Sequence, residues 1–131
     1  MLHSLHHFAA TSLLLTGLLI GCSDGRPPLV PATGQVLFQN QPLTAGSITF
    51  LPDTGNAFQG DAPSSQLQLD GSFQMKTFPW GPGITEGRYR ITLSAELAAR
   101  IKRPDYASRE KTPLQVTVPP GGLADFKIQI P

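Results

Sequence analysis

The sequence predicts an all-β fold, an antiparallel β-sandwich of about seven strands. Three observations carry that expectation. Apolar residues recur at every second position in one segment after another, as in strands with one buried and one solvated face. Glycine and proline supply 13 residues each of 131, well above their usual combined share of roughly 12%, and they cluster between the apolar segments as turn residues do. Helical composition is confined to Glu96–Lys102, which is too short to carry a fold.

Gln35-Val36-Leu37-Phe38 opens the domain, and Asn40-Gln41-Pro42-Leu43 has the composition of the turn after it. Ser47-Ile48-Thr49-Phe50 follows, with Ile48 and Phe50 on one face. Gln66-Leu67-Gln68-Leu69 and Ser72-Phe73-Gln74-Met75-Lys76 flank Asp70-Gly71. Asp-Gly between two alternating runs predicts a hairpin, because glycine takes the positive φ that its turn requires. In Arg88–Leu93 the inward set is Tyr89, Ile91 and Leu93. Leu114–Val118 and Phe126–Ile130 alternate in the same way. Between Leu93 and Leu114, Glu96–Lys102 predicts one turn of helix, stopped by Pro104 inside a long loop.

These segments also carry a family resemblance. Thr33-Gly34-Gln35-Val36, the Asn-Gln-Pro-Leu turn, Ala45-Gly46-Ser47-Ile48-Thr49-Phe50-Leu51-Pro52 and Leu69-Asp70-Gly71-Ser72-Phe73 resemble the start of a carboxypeptidase regulatory-like domain, which is transthyretin-like and Ig-like in fold. Gly87-Arg88-Tyr89-Arg90-Ile91 is similar to that family's G-x-Y-x-V strand. Pro104-Asp105-Tyr106 and Thr112–Val118 resemble the loop and strand of small bacterial envelope lipoproteins of this type. The segment before Leu69 lacks the family's usual Thr-x-Asp.

The N-terminus points to export. A mainly apolar run from Phe8 to Ile20 is too short for a membrane span, which needs about 20 residues, and fits the core of a signal peptide. It closes on Leu19-Ile20-Gly21-Cys22, which resembles the lipobox of bacterial lipoproteins. The resemblance implies diacylglyceryl transfer to the Cys22 sulfur, cleavage after Gly21 and acylation of the new N-terminus. The resulting organisation is a signal peptide over 1–21, a lipid-anchored Pro-rich tether over 22–32 and a sandwich domain over 33–131. Several acyl chains on one residue satisfy the two-signal requirement for stable anchoring. Ser23 after the cysteine leans the resemblance towards the outer membrane, so the protein is expected in the cell envelope, exported and bound to the membrane through Cys22.

Catalysis has little to work with. The three histidines are His3, His6 and His7, all in the segment expected to be removed, and Cys22 is the lone cysteine. The mature domain therefore lacks the residues for a Ser-His-Asp or Cys-His arrangement and for zinc sites built from histidine and cysteine. The histidine-dependent enzymes of related fold, hydroxyisourate hydrolases and intradiol dioxygenases, do not transfer. A histidine-free hydrolase would have to draw on Asp53, Asp61, Asp70, Glu86 and Asp125, of which Asp70 is explained by its turn. Asp53-Thr54-Gly55-Asn56 lacks the alternating acids of a calcium loop. No catalytic residue, metal or cofactor is expected. A formal charge of +1 gives no footprint for nucleic acid.

What remains is a binding or structural module of the envelope, whose partner would be an envelope protein or a glycan. Phe78-Pro79-Trp80-Gly81-Pro82-Gly83 holds the sole tryptophan, which either anchors a carbohydrate or peptide surface or folds back to plug the sandwich. Arg100–Lys111, with Lys102, Arg103 and Arg109 between, is either a solvated loop or a basic patch for anionic lipid headgroups or an acidic partner, which in a binding module would share one surface with Phe78–Gly83. Tyr89, at a strand start, has the placement of a corner-pinning tyrosine.

Overall fold

The computed structural model of the protein describes residues 25–131; Cys22 and the expected signal peptide lie outside the described residues. Ten strands follow in order: β1 (Ala32–Phe38), β2 (Gln41–Pro42), β3 (Ser47–Pro52), β4 (Ser64–Gln66), β5 (Ser72–Gln74), β6 (Lys76–Thr77), β7 (Gly81–Pro82), β8 (Gly87–Leu93), β9 (Gln115–Val118) and β10 (Leu123–Ile130). A short helix, α1 (Ala95–Arg100), and a 3-10 turn (Pro104–Ala107) fall between β8 and β9. In one sheet β1 lies between β10 and the pair β2 and β5; the other runs β7-β6-β4-β3-β8-β9. Together they form the all-β sandwich that the alternation predicts.

Strand pairing is antiparallel apart from β1 and β10, which are parallel from Gly34 opposite Phe126 to Phe38 opposite Ile130. Hairpins force neighbours in sequence to be antiparallel. These two strands are the first and last in the sequence, so no turn dictates their direction.

The inward positions meet in one core. Val36, Ile48, Phe50, Ile91, Val118 and Ile130 are essentially inaccessible, and each such side chain contributes about 1.5–3 kcal/mol by burial. Phe50 lies at the centre, edge-on to Phe73 at 6.1 Å and tilted against Tyr89 at 5.9 Å. Leu97 and Ala98 of α1 close one end, with the Leu97 side chain against Gly46, where a Cβ would come within 2.8 Å of it. The helix stops as the Arg103 amide bonds Ala98 O and the Lys102 amide bonds Ala99 O, with Lys102 left-handed at φ 59°.

The Asp70-Gly71 hairpin differs from the expectation. Gly71 N donates to Gln68 O and Gln68 N to Ser72 O, both 2.9 Å, and Gly71 is left-handed at φ 77°. That is a three-residue loop with glycine last, and it turns Leu69 outward, 94% exposed. The arms then part: β4 pairs with β3 and β6, while β5 pairs with β1. Met75 is the corner where the chain changes sheets, its amide bonding Ala32 O and its carbonyl accepting from Gly83 N. Alternation reports which face is buried but not which strand lies alongside, so this divergence leaves no trace in the sequence.

The chain is bonded to the domain before β1. Val30 and Ile84 exchange hydrogen bonds of 2.8 and 2.9 Å, and Pro27 is already buried. The register also fixes the two ends of the sandwich. Thr49 opposes Ser64, which opposes Lys76, so β6 rises towards the Pro52 end of β3 and its turn lies there. Leu93 opposes Ile48, so α1 follows at the Ser47 end.

Candidate functional site

The aromatic loop is the turn between β6 and β7. Trp80 N donates to Thr77 O at 2.7 Å across a cis Phe78-Pro79 peptide, and the buried Thr77 hydroxyl donates to Gly83 O at 2.8 Å. Trp80 is partly buried and stands outside the core cluster, so it does not plug the sandwich. Phe78 is the aromatic that the turn presents, 74% exposed. The strand alternation carried the signal: Thr77 faces inward, so Phe78 faces out.

The arginines of the basic loop are engaged by the fold. Arg100 Nη2 donates to Thr44 O at 2.5 Å and Ala45 O at 3.1 Å, clamping the bend before β3. Arg103 donates to the main-chain oxygens of Lys102 and Pro131 and stacks over the Phe38 ring at 5.4 Å. Arg109 Nη2 reaches Pro52 O at 3.1 Å, and Arg90 Nη1 holds Arg109 O at 3.1 Å. Of the two loops expected to share a surface, Phe78–Gly83 and Arg100–Lys111, the second reaches the end of the aromatic turn through Arg109, at Pro52. Arg100 and Arg103 sit at the Ser47 end, the aromatic turn at the other.

The polar residues singled out by the sequence have structural partners too. Asn56 uses its amide as a strand edge, Nδ2 donating to Arg88 O at 2.9 Å and Oδ1 accepting from Arg88 N at 3.0 Å. Gln59 ties the same loop to the carbonyls of Asp53 and Asn56, each at 2.8 Å. The Tyr89 hydroxyl donates to Thr85 O at 2.7 Å and lies 2.8 Å from the Thr85 hydroxyl, pinning the corner before β8. Burial pushes its pKa up, against the opposing effect of the Thr85 hydroxyl. Asp70 Oδ1 accepts from Ser72 N at 2.9 Å. Hydrogen bonds from Ser72, side chain first and amide second, hold the Asp70 carboxyl below the usual aspartate range. Among the described residues, no three His, Cys, Asp or Glu side chains gather as a metal-binding group.

Two of the surface clefts are lined mainly by polar side chains. One, of about 400 Å³, lies on the outer face of β8 and β9 between Asp53, Arg88, Arg90, Gln115 and Thr117. The other, of about 690 Å³, opens where β4 and β5 part, and Ser47, Thr49, Ser64, Gln66, Gln68 and Gln74 line it. Its wall also includes Lys76 and no carboxylate. This cleft has no signature in the sequence, because it is built largely from the solvent-facing positions of strands whose buried positions carry the pattern. No protein-family model matches the chain, and no curated protein or solved structure matches it either.

Proposed function

We propose that this protein is a lipid-anchored, non-catalytic module of the bacterial cell envelope, serving in binding or in envelope structure. The observation that carries the reading is Leu19-Ile20-Gly21-Cys22 at the close of the apolar run, followed within five residues by a buried proline, Pro27. An anchor so near the fold makes the domain an accessory held at a membrane. A domain without histidine or free cysteine, whose Arg100, Arg103, Arg109 and Asn56 bind backbone, favours recognition over chemistry. Mass spectrometry of the membrane-extracted protein tests this, the expected species being an acylated peptide beginning at Cys22. Cys22→Ser should accumulate as precursor. A membrane-extracted protein that keeps Met1 with an unmodified Cys22 overturns the reading.

The cleft between β4 and β5 favours a glycan as the ligand of such a module. Hydroxyls and amides at Ser47, Thr49, Ser64, Gln66 and Gln74 offer paired donors and acceptors, the groups that match sugar hydroxyls. Co-sedimentation with insoluble wall polysaccharide should retain the protein. The joint change Gln66→Ala and Gln74→Ala should release it without moving the thermal midpoint, since both side chains are exposed.

A further inference from the structure

We propose that the Phe78-Pro79-Trp80 turn is a membrane-contact element, seated in the headgroup region of the bilayer that holds the Cys22 lipid. The proposal rests on the anchored reading above and adds to it an orientation and a second point of attachment. Val30 is bridged to Ile84, three residues beyond Gly81, and Leu29 packs on Gly83, where a Cβ would come within 3.0 Å of the Leu29 Cβ. The chain therefore enters the sandwich beside the β6–β7 turn, at the Pro52 end of β3. From Cys22 to the buried Pro27 is five residues, a reach of at most about 18 Å fully extended. A lipid on Cys22 thus keeps this end, and not the α1 end, against the membrane.

The chemistry of the turn and of the segment that enters beside it fits that neighbour, while the charges of this end, Lys76, Asp53, Arg88 and Arg109, flank them. Residues 77–83, Thr-Phe-Pro-Trp-Gly-Pro-Gly, and 27–32, Pro-Pro-Leu-Val-Pro-Ala, carry no charge. Phe78 is 74% exposed while Trp80 stays partly open. Aromatic rings, tryptophan above all, gather at the bilayer–water boundary, where an apolar body and a polar edge are both satisfied. A headgroup zone of roughly 5–8 Å per leaflet is deep enough to take the turn without immersing the sandwich. The orientation also leaves Leu69, at the far end of the fold, pointing away from the membrane.

Trp80 is the single tryptophan, so the full-length protein carries its own probe. The lipidated chain is reconstituted into phosphatidylcholine vesicles with and without brominated acyl chains. Trp80 emission should be blue-shifted and largely lost in the brominated vesicles, and Phe78→Ser should restore most of it. A second protein, Trp80→Phe with Leu69→Trp, moves the reporter to the opposite end and should keep its emission in both. If acylation of Cys22 is verified by mass and Trp80 is not quenched, the membrane-contact proposal falls while the anchored reading stands. Equal quenching at both positions overturns the orientation. An unmodified Cys22 in the protein from the native membrane overturns both.

Discussion

Gly34 leaves no room for a side chain beneath Phe126: a Cβ built there would lie 2.0 Å from the Phe126 carbonyl oxygen and 2.6 Å from the Phe73 ring. This contact sits where β1 meets its parallel partner β10 on one side and β5 on the other, with Gly34 opposite both Phe126 and Phe73. Bare backbone is what allows three strands and an aromatic ring to close over one point of the core.

Gly34→Ala should therefore destabilise the domain although alanine adds one methyl group. The obstructing atom is a backbone oxygen in a paired strand, so the ladder itself must shift, and overpacking of this kind costs about 1–3 kcal/mol. Denaturant unfolding of the full chain should show the midpoint falling with an unchanged slope. Gly121→Ala serves as the control, because a Cβ there meets nothing within 4 Å.

The inward faces were legible because burial enforces a period of two. Tyr89, Ile91 and Leu93, then Val116 and Val118, then Ile128 and Ile130, all point into the core as their spacing requires. Strand partners were less legible. Leu69 has the same alternation as Leu67, yet the loop around Gly71 places one outside and the other in the core. The arginines misled for a different reason. A guanidinium that clamps a distant carbonyl, as Arg100 does at Thr44, looks in sequence like any solvated charge.

Arg100 and Arg103 should accordingly matter to stability. Arg100 fastens α1 to the bend before β3, and Arg103 joins the helix end to Phe38 and Pro131. Both side chains reach solvent, which discounts each bond below the usual range for charged donors, to about 1 kcal/mol. The joint Arg100→Ala and Arg103→Ala variant should lower the thermal midpoint by several degrees. It should do so in the full chain whether or not a partner is present. An unchanged midpoint would show that the two residues are free for binding after all.

Asp70 predicts a pH dependence whose sign follows from its turn. The Ser72 hydroxyl and amide stabilise the ionised carboxylate, Lys127 adds a smaller attraction, and the folded pKa lies below the ordinary value. A carboxyl depressed on folding contributes stability that is complete above its unfolded pKa, about 3.9, and lost as pH falls through the folded pKa. Asp70→Asn keeps an oxygen to accept from Ser72 N but removes the charge. The wild-type and variant unfolding midpoints should thus be separated by a constant amount from neutral pH down to about pH 5, wild type being the more stable. Below about pH 4 the gap should narrow and then close as Asp70 takes up its proton. Full exposure of the carboxyl keeps the gap small, and the Lys127 share of it should shrink in high salt while the hydrogen-bonded share persists. A gap that widened on acidification would mean that the folded state binds the proton more tightly than the unfolded chain, the reverse of what the Ser72 bonds dictate.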